Sequence, residues 1–200
     1  MIDTRFRFYY WGPFLTKFKL PKQTVKELLQ HSKKNKDYGH TLAGIIKNQY
    51  EYDAEFFFNK VKVYIDSYIS GASEHWDWNK HPKSFGISNA WINYMKAGEF
   101  NPPHVHSADL SCVAFLKIPK GLKKENKNFK GCSGGPGSLE FRYGEAAGFS
   151  FRTSENFLPE EGDFFIFPAK LQHYVCPFYS KGERVSMSAN FELVYYSTIY

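Results

Sequence analysis

The feature that most constrains the fold is a change of hydrophobic period near Gly71. Beyond it, apolar residues fall at every second position, and in a strand successive side chains face opposite ways. "ISNAWINYMKA" (87–97), "LSCVAFLKI" (110–118), "SLEFRY" (138–143), "GFSFRT" (148–153), "DFFIFP" (163–168) and "RVSMSANFELVYYS" (184–197) all read as strands. Turn-forming stretches separate them: "AGEFNPP", "CSGGPGS", "YGEAAG", "PEEGD" and "SKGE". A run of short strands that must bury one face each predicts a mainly β chain, a jelly roll or sandwich. The 20 Phe, 14 Tyr and 4 Trp suit such pleated, half-buried surfaces.

Upstream of Gly71 the period is helical. "LPKQTVKELLQHSKK" predicts a short helix with Pro21 near its start and Val25, Leu28 and Leu29 on one face. A second helix is expected over Ala54–Ile69, capped by Asp53, ended by Gly71, and striped by Phe57, Val61, Tyr64, Ile65 and Tyr68. "NKDYGHTLAGIIKNQYEY" between them reads as irregular chain. Without a repeat or low-complexity linker, residues 1–200 are expected to form one domain: helical support over 1–72, packed outside a β core over 85–197.

The formal charge of +6 has much of its excess in "KKNK" (33–36) and "KKENKNFK" (123–130), which read as solvated loops or helix ends. No nucleic-acid motif accompanies them, so nucleic acid is not an expected partner. The three cysteines, Cys112, Cys132 and Cys176, lack CxxC spacing and predict a reducing, cytoplasmic setting without a disulfide framework. The aromatic, charged N-terminus does not read as a signal peptide, and no apolar run reaches membrane-span length.

The chemistry-bearing stretch is "EFNPPHVHSADLSCVAFLKIP" (99–119). In a strand His104 and His106 would point together, a geometry suited to a divalent transition metal such as iron. A further ligand must come from elsewhere, and His173 in "FPAKLQHYVCPF", at a strand start, is the best placed. His31, His40, His75 and His81 precede the β region. In "ERVSMSANFEL", Arg184, Ser186, Ser188 and Asn190 take one face, and Val185, Met187, Ala189, Phe191 and Leu193 the other. A guanidinium deep in a barrel needs an anion; a ligand carboxylate fits its planar fork, with Ser186 on the same side.

H-x-H, a distal His and R-x-S eleven residues beyond it, in that order, resemble the Fe(II)- and 2-oxoglutarate-dependent oxygenases. Within that superfamily the likeness is to small prolyl-hydroxylase-like members from tailed phages and marine bacteria. It runs from about Asn89 to Glu192 and rests on "AWINYM", "NPPHVHSADLS", "GSLEF", "PEEGDFFIFPAKLQHYV" and "RVSMSANF". The resemblance implies a double-stranded β-helix with iron on His104, His106 and His173. It also implies 2-oxoglutarate chelated to the iron, its far carboxylate on Arg184 and Ser186, and Tyr94 and Asn93 near the cosubstrate. It extends the expected setting to the cytoplasm of a phage-infected bacterial host. O2 and 2-oxoglutarate would be co-reactants, ascorbate an auxiliary reductant, and the substrate a protein, peptide or small molecule.

Two positions depart from the wider pattern. His106 stands where most members carry a carboxylate. Asp109, three residues on, is the rival ligand and would need a turn to reach the metal. Phe115 stands where relatives often place a tyrosine hydroxyl. Two other functions compete: a cupin-like three-histidine metalloenzyme without 2-oxoglutarate, and a non-catalytic jelly-roll binding module.

Overall fold

The computed structural model describes residues 12–34, 36–75, 82–144 and 153–195. Its helices are α1 (Lys22–His31), α2 (Ala54–His75) and the short α3 (Leu122–Lys127). The strands are β1 (Thr16–Lys19), β2 (Gln49–Glu51), β3 (Ser84–Met95), β4 (Asn101–His104), β5 (Leu110–Lys117), β6 (Leu139–Arg142), β7 (Ser154–Phe157), β8 (Asp163–Pro168), β9 (Gln172–Val175) and β10 (Arg184–Val194). They form two antiparallel sheets, a larger one in the order β1-β8-β5-β10-β3-β2 and a smaller one in the order β4-β9-β6-β7. This is the jelly roll that the period-two pattern implies.

Alternation along the larger sheet separates two cores. One face turns Ala90, Ile92, Tyr94, Cys112, Ala114, Phe164, Ile166, Val185, Met187, Ala189 and Phe191 toward α1 and α2, which bury Val25, Leu28, Phe57, Val61, Ile65 and Tyr68 against them. The opposite face contributes Met95, Phe115, Phe165 and Phe167 to a core shared with Leu139, Phe141 and Val175 of the smaller sheet. Burying side chains of this size contributes roughly 1.5–3 kcal/mol each, so the helices are held by their stripe. Asp53 caps α2 as expected, its Oδ1 accepting the Phe56 N–H at 3.0 Å.

Some expectations are corrected. Gly71 does not end α2, which continues to His75. A Cβ at Gly71 would meet the Phe14 ring at 3.2 Å, so the glycine makes room for a neighbour instead of terminating the helix. The "irregular" stretch contains β2 and a 3-10 turn at Gly39–Thr41. β1, too short for a periodic signal, pairs with β8 at the sheet edge. Of the strand expected at 148–153, residues 148–152 lie outside the described residues; the strand described beyond them is β7, which pairs with β6 at the edge of the smaller sheet. Among the described residues, no helix is long and apolar enough to cross a membrane.

Candidate metal centre

β4 and β9 lie side by side with His104 opposite His173. His106 lies two residues past the end of β4, and its N–H donates to Ala169 O at 2.9 Å. The pair is thus held partly by a loop contact and not by one continuous strand; Pro102 and Pro103 have no N–H to extend the ladder. His104, His106 and His173 converge, their ligand atoms all within 4.8 Å of one another.

The ring orientations follow from second hydrogen bonds. His104 Nδ1 lies 2.7 Å from Pro102 O, and His173 Nδ1 lies 2.9 Å from Leu171 O. A carbonyl only accepts, so each Nδ1 carries the proton and each Nε2 is left with a bare lone pair. His106 Nε2 lies 3.2 Å from His173 Nε2. Burial holds all three imidazoles below their ordinary pKa, His106 at about 4 and His173 at about 3, with His104 adding to both shifts. At neutral pH they are uncharged, the state in which imidazole binds a metal.

Asp109 is engaged elsewhere. Its Oδ2 accepts the Leu193 N–H at 2.7 Å, its own N–H donates to Phe191 O, and its carbonyl accepts the Ala169 N–H. It clasps the start of β5 to β10 and to the loop after β8. The structure therefore brings His106, and not Asp109, into the trio.

The trio sits on a cavity of about 480 Å³, part of it open to solvent. One cross-strand row of the larger sheet, Asn93 opposite Ser186 and Ser186 opposite Phe115, lines it, and Gln49 of β2 lies opposite Asn93 behind that lining. Arg184 lines the cavity and is 2% exposed. Its Nη1 donates to Gly137 O at 3.2 Å and its Nη2 to Met95 Sδ at 2.7 Å, while its buried Nε has no partner. The Phe115 ring lies 5.5 Å from the guanidinium. Burial lowers the Arg184 pKa to about 10, still charged at neutral pH. Among the described residues no carboxylate pairs with it. A buried cation left this way is costly until an anion arrives.

Of the sequence-predicted residues, Asn93, Ser186 and Arg184 line the cavity with the three histidines. Tyr94 does not. It lies in the helix-facing core, its hydroxyl bonded to Ser32 Oγ and its ring beneath Lys34 Nζ. Strand parity is the reason: with Asn93 facing in, its neighbour must face out. Trp91, on the cavity side, stands 5.5 Å ring-to-ring from His106 and 6.2 Å from Tyr38. Sequence reasoning missed Ile46, which lines the cavity, and Gln49 and Tyr38, which contact its lining through Asn93 and Trp91; for Gln49 the brief alternation in "NQYEY" was a signal, and the other two had none.

The family described as "Putative 2OG-Fe(II) oxygenase" matches residues 89–190, just over half of the chain, from Asn89 in β3 to Asn190 in β10. The chain belongs to this 2OG-Fe(II) oxygenase family. No curated protein sequence matches the chain. Solved structures share the fold. A Pseudomonas putida prolyl-4-hydroxylase is 15% identical with a TM-score of 0.60, over 90% of this chain and 93% of that one. A viral collagen prolyl hydroxylase from Paramecium bursaria Chlorella virus-1, in complex with 2OG, is 14% identical with a TM-score of 0.58, over 90% and 96%. A Trichoplax adhaerens prolyl hydroxylase, in complex with a hypoxia inducible factor peptide fragment, is 11% identical with a TM-score of 0.56, over 90% and 83%. The oxygenase's residues fit the groups its family name implies: neutral imidazoles suit a divalent iron, and the unpaired buried guanidinium suits a carboxylate.

Proposed function

We propose that this oxygenase is a hydroxylase that couples decarboxylation of 2-oxoglutarate to oxidation of an uncharged C–H group. The observation that carries this reading is the coexistence, on one cavity, of a neutral imidazole trio and a buried guanidinium with an orphaned N–H. His104, His106 and His173 would hold Fe(II), with Pro102 O and Leu171 O fixing two of the rings. Arg184 and Ser186 would hold the far carboxylate of 2-oxoglutarate, with the Phe115 ring supporting the guanidinium. Bound iron and cosubstrate supply the activation of O2 and the hydrogen-atom abstraction. The chain's own contribution is orientation and exclusion of water: Trp91, Leu139, Phe167 and Val175 line the space around the trio.

A peptidyl proline is the substrate class we favour. Trp91 offers an aromatic face beside His106, and among the described residues no charged side chain other than Arg184 lines the cavity. The prolyl hydroxylases named above give the same direction by likeness of fold. We read the chain as one catalytic domain with α1 and α2 as support. A reducing compartment such as the cytoplasm suits a ferrous site and the free cysteines Cys112, Cys132 and Cys176. Three histidines without a carboxylate also suit a cupin-like metalloenzyme that uses no 2-oxoglutarate; Arg184 and Ser186 on the same cavity favour the 2-oxoglutarate reading.

The test is to incubate the purified protein with Fe(II), ascorbate, O2 and 2-oxoglutarate, with and without proline-containing peptides. Succinate formation and a gain of one oxygen on the peptide are expected. Iron binding without 2-oxoglutarate turnover would favour the cupin-like reading; neither would leave a binding module.

A further inference from the structure

Gln49 is 2% exposed and lies on β2, opposite Asn93 of β3. Its Nε2 donates to Asn93 Oδ1 at 2.8 Å. That bond occupies the oxygen end of the Asn93 carboxamide. The Nδ2 end has no partner among the described residues, and Asn93 lines the cavity beside Ser186. The surrounding chain is built close to this donor: a Cβ on Gly44 would come within 3.0 Å of Gln49 Nε2. Gln49 Oε1, buried near Gly39, has no donor of its own, so the contact with Asn93 is what the side chain's position secures.

A carboxamide can present either a donor or an acceptor, and its neighbours decide which. For an anionic ligand the difference is large, since an N–H attracts a carboxylate or keto oxygen and a carbonyl repels it. We propose that Gln49 is a positioning residue that holds the Asn93 amide nitrogen toward the cavity, making Asn93 a hydrogen-bond donor to 2-oxoglutarate. This rests on the reading of the cavity as the cosubstrate site. Gln49→Glu is the informative change, because a carboxylate at that place can only accept. It would draw Asn93 Nδ2 toward itself and turn Oδ1 to the ligand.

The experiment is an anaerobic titration of 2-oxoglutarate into the Fe(II)-loaded full-length protein, read by the visible absorption of a 2-oxo acid chelated to ferrous iron. Gln49→Glu is expected to weaken binding about tenfold, with iron affinity unchanged. In an Asn93→Ala background the same substitution should cost nothing further, since the effect passes through Asn93. Gln49→Met, which removes the donor without adding charge, should weaken binding about threefold and serves if Gln49→Glu does not fold. Equal losses with and without Asn93 would show direct charge repulsion and overturn the proposal. Unchanged or tighter binding in Gln49→Met would overturn it too. Wild-type protein that binds no 2-oxoglutarate overturns the cosubstrate site itself; binding that depends on Arg184 but not on Gln49 overturns this inference alone.

Discussion

Asp163 on β8 and Arg184 on β10 are both buried charges of the larger sheet, 1% and 2% exposed, and they are treated in opposite ways. Asp163 is surrounded. Lys17 Nζ lies 2.8 Å from one oxygen, Lys19 Nζ 2.9 Å from the other, and the Glu160 N–H donates to it at 2.9 Å. Burial works against its charge, but these partners outweigh it and lower its pKa. Together they fasten β1 to β8. Arg184 has a carbonyl, a thioether and an aromatic face, but no counter-ion among the described residues. A charge that serves the fold is neutralised within the fold. Arg184 is left buried without such a partner among the described residues, and it faces the cavity that the imidazole trio also faces.

The largest expected effect comes from breaking the unpaired side. Arg184→Met should weaken 2-oxoglutarate binding at least about 100-fold, while the melting temperature stays level or rises, because the variant removes an uncompensated charge. Binding by calorimetry and melting by scanning fluorimetry would show whether the two properties separate. Asp163→Ala should do the reverse. It is expected to cost about 1–3 kcal/mol of stability, kept modest because Lys17 and Lys19 can turn to water, and to leave 2-oxoglutarate affinity of the folded protein unchanged.

The Asp163 cluster also predicts a pH dependence with a definite sign. A carboxylate whose native pKa is lowered stabilises the fold above its unfolded value, near 3.8, and that contribution is lost as pH falls through the native value. The stability gap between wild type and Asp163→Asn should therefore be constant near neutrality and close below about pH 3.8 in acid-unfolding curves. The smallest effect concerns the rival ligand. Asp109→Asn keeps an oxygen acceptor for the Leu193 N–H, so it should cost about 1 kcal/mol or less and leave iron content at wild-type level, measured by metal analysis after dialysis. Loss of iron in that variant would mean that Asp109 reaches the metal.

The Arg184 side of this contrast was legible in the sequence; the Asp163 side was not, because β1, which brings Lys17 and Lys19 to it, is too short for a periodic signal. Alternation along "RVSMSANF" placed Arg184 and Ser186 on one face and Val185 and Met187 on the other, and the structure keeps that division. His104, His106 and His173 were found because H-x-H and a strand-start histidine leave few other partners. Tyr94 was misplaced because the resemblance that put it near the cosubstrate carries no information about which face a side chain takes. Its parity with Asn93 carries that information. Gln49 escaped notice because a three-residue edge strand is too short for periodicity to rise above the glycines around it. Gly71 was misread because a glycine that admits a neighbouring ring looks, in sequence, like one that stops a helix.

The central claim is that one cavity holds iron on three histidines and 2-oxoglutarate on Arg184. The most direct measurement is a crystal structure of the protein grown without oxygen in Fe(II) and 2-oxoglutarate, with anomalous diffraction collected at the iron edge. The account predicts one iron peak bonded to His104, His106 and His173, and the far carboxylate of 2-oxoglutarate on Arg184 and Ser186. Iron bonded to Asp109, or a 2-oxoglutarate that leaves Arg184 untouched, would contradict it.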